Sequence, residues 1–249
     1  MFSGAFGSWS YSLNACLNGR CEEVWKISFL DDLIAKLDGL RTLVVYDSPV
    51  GIRNLLFFHI VPKFDNKNIY VAVYSESMCR RMKKSVESLI KLHPEIARKL
   101  EEVRVIKVGS KKEVPFGKLH QFIELNDKWC DELACVINTL DRDDLLIFHG
   151  FSIVQIMYER KWLIDKLNFF EKLPDDVTIV NKISREFYSG WVEGALKKLH
   201  DVVIRVEKSE RGLIEGEDCY TIAVDQSIVA DIAPKIARFR IGDRGFEEY

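Results

Sequence analysis

The sequence is short of several things, and each shortage excludes a class of protein. No apolar run reaches the roughly 18 residues that a bilayer-spanning helix needs. The first twenty residues are rich in Gly, Ser and aromatics but lack a basic start followed by an apolar block, so no secretion signal is read and a cytoplasmic protein is expected. Neither charge sign dominates: 36 Lys and Arg stand against 38 Asp and Glu, a net charge of -2, which gives no global attraction to nucleic acid or membrane. Only three glutamines accompany a charged fraction of 30%, a balance that suits a thermophile. The six cysteines lack the C-x2-C spacing of common metal sites. Cys16/Cys21 and Cys130/Cys135 are each separated by four residues, and on a helix the second pair stands about 140° apart. Metal is therefore not expected, and a Cys16–Cys21 disulfide is the better use of the first pair.

What the chain has is alternation. With 249 residues, 47% of them hydrophobic, it can fill a core. Val24, Ile27, Leu30, Leu33, Ile34 and Leu37 recur at helical spacing over residues 22–37, and Gly39 closes that helix. Thr42 to Tyr46 reads as a buried strand, and helical spacing resumes from Gly51 to Val61. The same unit recurs: strand Ile69 to Tyr74 and helix Met78 to Leu92, strand Val103 to Val108, helix Asp131 to Leu140, strand Leu145 to Phe148, a long helix from Ile153 to Phe170, strand Val177 to Val180, and helix Glu186 to Leu199. Right-handed crossovers then imply a three-layer α/β fold, a mainly parallel sheet covered by helices on both faces. Val202 to Val206, Tyr220 to Val224 and Arg238 to Ile241 follow with little helix between them and are expected as antiparallel strands at the sheet edge. No repeat or linker interrupts residues 22–249, which read as one domain after an N-terminal extension of residues 1–21.

Ligands of open parallel sheets bind at the carboxyl ends of the strands, and three such ends carry candidate chemistry. Tyr46-Asp47-Ser48-Pro49-Val50-Gly51-Ile52-Arg53 follows the first strand. A phosphate-binding loop needs Gly first, Gly sixth, then Lys and Ser or Thr; only Gly51 conforms. Tyr46 adds bulk, Pro49 removes an amide donor, Ile52 replaces the lysine, and Arg53 stands where a hydroxyl would ligate magnesium. Arg53 either meets an anion from the first helical turn or is solvated there. Glu76, just past the second strand, can activate water or simply stabilise the start of a helix. His149 ends the strand Leu145 to Phe148, in a place where a magnesium site would want a hard carboxylate.

In these three strand ends the chain resembles the RecA- and KaiC-like P-loop ATPases. The segments Glu23-Val24-Trp25-Lys26-Ile27-Ser28-Phe29 and Val105-Ile106-Lys107-Val108-Gly109-Ser110 look like those of an uncharacterised family of hyperthermophilic archaea, itself similar to P-loop proteins without a working P-loop. The resemblance covers residues 22–245. It implies a RecA-like fold in which Glu76 occupies the place of the catalytic glutamate of KaiC-like relatives. Tyr46, Asp47, Ser48, Gly51, Ile52, Arg53 and His149 would then form the remains of a degenerate nucleotide site.

One stretch departs from the balanced charge. From Arg80 to Lys118 there are twelve basic residues and five acidic ones. Arg80, Arg81, Lys83 and Lys84 crowd a helix start, and Lys111 and Lys112 sit in a loop. Such residues either hold a phosphate backbone or form a solvated face. The expected function is that of a catalytically inactive ATPase-like binding or regulatory module that needs no cofactor and engages a protein partner or itself. The alternatives are an atypical nucleotide-binding protein, or a nucleic-acid-associated protein using residues 80–118.

Overall fold

The structure, a computed structural model, describes residues 28–150, 169–187, 190–209 and 218–249. The expected extension of residues 1–21, the Cys16/Cys21 pair, and most of the helix expected from Ile153 to Phe170 lie outside those residues. The ladder begins with α1 (Phe29–Ala35), β1 (Arg41–Tyr46) and α2 (Pro49–Asn54). α2 runs on into a π-helical stretch, Leu55–Ile60, and a last turn, α3 (Val61–Lys63). The widened turn ends at Ile60, two residues before Pro62, which has no amide to donate and whose ring crowds the preceding carbonyls.

β2 (Asn68–Tyr74), α4 (Glu76–Leu92), α5 (Pro94–Glu102), β3 (Arg104–Gly109), β4 (Lys118–Glu124), α6 (Trp129–Ile137) and β5 (Asp144–His149) follow. β6 (Thr178–Ser184) is longer than the sequence pattern suggested. The expected helix from Glu186 to Leu199 is instead a 3-10 turn, Arg185–Phe187, followed by α7 (Gly190–Lys197). β7 (Val202–Lys208), β8 (Cys219–Ser227), β9 (Ile236–Gly242) and β10 (Gly245–Glu248) complete the sheet.

The ten strands form one sheet in the order β10-β9-β8-β7-β1-β6-β5-β2-β3-β4. The seven strands from β7 to β4 are parallel, and β8, β9 and β10 extend the sheet by antiparallel pairing. The expectation for Val202 to Val206 is thereby corrected in part. β7 pairs antiparallel with β8 but parallel with β1, because α7 returns the chain to the amino end of the sheet before β7 begins.

Both faces of the sheet are covered. On one, Leu30, Leu33 and Ile34 of α1, Ile52 of α2, Cys79, Met82, Val86 and Leu89 of α4, and Leu100 of α5 pack on Val44, Val73, Ile147 and Val180. On the other, Trp129, Leu133 and Ile137 of α6, Phe169, Phe170, and Leu196 of α7 pack on Leu43, Val45, Ile106 and Ile179. This is the three-layer arrangement expected. Each fully buried aliphatic side chain contributes about 1.5 to 3 kcal/mol, and alternation along the strands sends neighbouring residues to opposite layers.

Candidate functional site

The chain leaves β1 for β2, three places away in the sheet, and only later inserts β5 and β6 between them. That reversal opens a crevice at the carboxyl ends of β1, β6, β5 and β2, where open α/β sheets bind ligands. Tyr46, Ser184, His149 and Glu76 stand at or just past those ends.

The turn from β1 to α2 is held by its own side chains. The amide of Lys208 donates to both carboxylate oxygens of Asp47, at 3.0 and 3.1 Å. Ser48 is the N-cap of α2: its Oγ accepts from the amide of Gly51 at 3.3 Å and lies 3.3 Å from the hydroxyl of Tyr220, while its carbonyl accepts from the amide of Ile52 at 3.1 Å. Gly51 is buried against β7 and β8. A Cβ there would sit 2.9 Å from Cε1 of Tyr220 and 3.2 Å from Cγ1 of Val206. Ile52 is buried in the core, and Arg53 is half-buried with Nε sealed from solvent and without a partner among the described residues.

Glu76 is the first residue of α4, as its helix-start reading anticipated, and Ser75 caps that helix with φ 65° and ψ 158°. That backbone region is nearly exclusive to glycine and costs on the order of 1 to 3 kcal/mol. Four donors converge on Oε1 of Glu76: Lys107 Nζ, the amides of Ser110 and Lys111, all at 2.9 Å, and Ser110 Oγ at 3.3 Å. Burial pushes the Glu76 carboxyl up, but the bonds from Lys107, Lys111 and Ser110 outweigh it and hold the group below the ordinary glutamate value.

At the ends of β5 and β6 the chemistry is different. His149 is half-buried, its Nδ1 has no hydrogen-bond partner among the described residues, and burial, then the charges of Lys182 and Arg81, press its pKa well below the usual imidazole range. Lys182 is buried on β6, and burial lowers its amine to about 7. Its Nζ lies 5.9 Å from the centroid of the Tyr46 ring. Burial also raises the Tyr46 phenol, an effect opposed by Arg81 and reinforced by Glu186.

The basic residues divide. Arg80, Lys83 and Lys84 of α4 and Lys111 of the following loop line one cavity of about 570 Å³, so two clusters distant in sequence meet in space. Glu76, Glu87 and Glu113 line it as well, and Lys83 is paired with Glu113 at 2.9 Å. Arg81 faces Tyr46 and His149 electrostatically, and Lys112 lies over the ring of Phe122, 5.9 Å from its centroid; neither lines the cavity. Cys130 and Cys135 lie on α6, one half-buried and one exposed. Among the described residues no helix is long and apolar enough to cross a membrane.

Lys182 and Tyr220 were not singled out by the sequence, and Lys107 and Gly109 were read only within the segment Val105 to Ser110, not as neighbours of Glu76. Lys107 has a legible trace, a lone cation inside an apolar strand; Tyr220 has none.

The parallel sheet, its order reversal and its antiparallel extension define an α/β protein of KaiC-like fold. The chain is similar to a KaiC-like protein from the hyperthermophilic archaeon Pyrococcus horikoshii OT3, with a TM-score of 0.59 and 15% identity over 85% of this chain and 90% of that one. It is also similar to a second P. horikoshii OT3 protein known from a structural study, with a TM-score of 0.60 and 18% identity over 83% of this chain and 96% of that one. No family model matches the chain, and no curated protein matches it significantly in sequence.

Proposed function

We propose that this protein is a binding or regulatory module of KaiC-like fold that does not hydrolyse nucleoside triphosphates. One observation carries the reading: the turn from β1 to α2 already uses its own anion-binding groups. A phosphate at a helix start is held by free backbone amides. Here the amide of Gly51 is given to Ser48, proline occupies the first helical position, and Tyr220 closes over the glycine. Magnesium and a triphosphate do not fit the neighbouring side chains. Ile52 is in the core, Arg53 cannot ligate a cation, and His149 offers a neutral imidazole in place of a hard carboxylate. Oε1 of Glu76 is engaged by Lys107, Ser110 and Lys111, which lowers the basicity of the carboxylate and makes it a poorer activator of water.

The test is calorimetric titration of the full chain with ATP, ADP and GTP in magnesium, followed by a hydrolysis assay. Neither heat of binding nor turnover above background is expected. Magnesium-dependent turnover that Glu76→Gln abolishes would overturn the reading, and tight binding without turnover would favour an atypical nucleotide site.

A further inference from the structure

β10 is one edge of the ten-stranded sheet, and an edge strand turns every second amide away from its neighbour. The amide of Tyr249 donates to the carbonyl of Arg238 on β9, so alternation directs the amide of Phe246 away from β9. There it meets a side chain. It donates to Nε2 of His59 at 2.9 Å, and the imidazole stacks on the Phe246 ring, with centroids 6.0 Å and planes 23° apart. His59 belongs to the π-helical stretch Leu55–Ile60, and such widened turns often mark functional positions. The approach is close: a Cβ on Gly245, whose φ is 98°, would sit 2.8 Å from Nε2 and 2.6 Å from Cβ of Phe58.

A backbone amide can only donate, so Nε2 must be the bare nitrogen, and the neutral ring carries its proton on Nδ1. Nδ1 lies 4.0 Å from Oδ1 of Asp31 on α1, and the His59 side chain is 10% exposed. The other charged groups nearby have different places. Glu248 of β10 accepts the amide of Phe29 at 3.0 Å, Lys235 lies over the Phe29 ring at 4.6 Å from its centroid, and Arg244 precedes Gly245 in the turn between β9 and β10. A proton on Nε2 would therefore exchange one partner for another. It would set two N–H groups face to face and strip the buried Phe246 amide of its acceptor, while the new cation would be drawn to Asp31.

We propose that His59 is a pH-sensitive latch on β10: the neutral ring holds the strand against the π-helical stretch, and protonation of Nε2 releases it. The proton comes from solvent and the new N–H is the only covalent change. Attachment is complete where the ring is neutral and is lost as pH falls through the range in which histidines titrate. Release uncovers the outward amide of an edge strand, which is a template for strand addition by another chain.

The test is hydrogen exchange of the full chain from about pH 8 to about pH 5.5, a span that changes the charge of histidines. Protection of the peptide covering residues 244–249, corrected for the intrinsic exchange rate, is expected to fall about five- to tenfold, as the loss of one hydrogen bond predicts, while that of residues 42–46 stays constant. His59→Gln places an amide oxygen where Nε2 stood, an acceptor at every pH, and should make the C-terminal protection independent of pH. Asp31→Asn should move the parent's transition to lower pH, because the imidazolium loses its counter-charge. Protection that does not change with pH in the parent, or that falls equally in His59→Gln, would overturn the proposal, and an unmoved or raised midpoint in Asp31→Asn would contradict it. A second measurement does not depend on how the variants fold: nitrogen-15 NMR of the parent at about pH 8 should find the His59 proton on Nδ1, and a proton on Nε2 would sink the latch.

Discussion

The amine of Lys107, wholly buried on β3, donates to Oε1 of Glu76 at 2.9 Å, while the carboxylate itself is 37% exposed. The pair is therefore asymmetric. Removing the carboxylate by Glu76→Ala strands a buried cation and should cost about 3 kcal/mol, the lower end for such a pair because water reaches it from the Glu76 side. Lys107→Met leaves Glu76 with two amides, the Ser110 hydroxyl and the solvent, and should cost only about 1 kcal/mol. Urea denaturation of the two variants gives the comparison, and equal or reversed costs would show that Lys107 is not the dependent partner.

The same carboxyl makes stability depend on acid. Its folded pKa is depressed below the ordinary 4.5, so its contribution is complete above that value and is lost as pH falls through the folded pKa. The parent chain is expected to exceed Glu76→Gln in urea midpoint at neutral pH, and the difference should shrink as pH falls below 4.5 and vanish once it has passed through the depressed folded pKa. A gap that persists into acid would assign the loss to packing.

Gly109 has no room for a side chain. A Cβ there would lie 2.2 Å from Nζ of Lys107 and 2.5 Å from Oε1 of Glu76, so Gly109→Ala must push the amine off its partner at a cost of about 1 to 3 kcal/mol. The cost should shrink when Lys107→Ala is already present, because the nearer obstacle is then gone and the half-exposed Glu76 carboxylate is free to turn aside. A double-mutant cycle on denaturation free energies measures the coupling, and simple additivity would contradict it.

The cavity lined by Arg80, Lys83, Lys84 and Lys111 also carries Glu76, Glu87 and Glu113, which offset most of its charge. Nucleic-acid binding is expected to be negligible at physiological salt. Retained binding with a salt slope steeper than about -3, weakened by Lys111→Glu, would identify a phosphate-backbone site there.

Legibility in the sequence followed burial. β1, β2, β3 and β5 were evident because their apolar runs are buried on both faces, as at Leu43-Val44-Val45. β4 was invisible because it is an edge strand: Lys118, Leu119, His120 and Gln121 are all exposed, so no apolar alternation marks it. β6 was cut short at Val180 because Asn181 and Lys182 look like the start of a loop, although both are buried. That truncation hid the buried Lys182, whose charge bears on His149. The departures of the β1–α2 turn from a phosphate-binding pattern were readable residue by residue, but its contacts with Tyr220 and Lys208 depend on pairing between strands far apart in the chain.

The strand order also dictates a schedule. β1 is the earliest of the described strands to leave the ribosome and yet occupies the middle of the sheet, between β6 and β7. While residues up to His149 are being made, β2, β3, β4 and β5 can zip to one another, but β1 has no neighbour until Thr178 and then Val202 emerge. Pairing over such distances is slow, and an apolar strand waiting that long invites capture by other chains. Nascent chains truncated before Thr178 should therefore engage chaperones through Leu43, Val44 and Val45, and the centre of the finished sheet is among the last places to set.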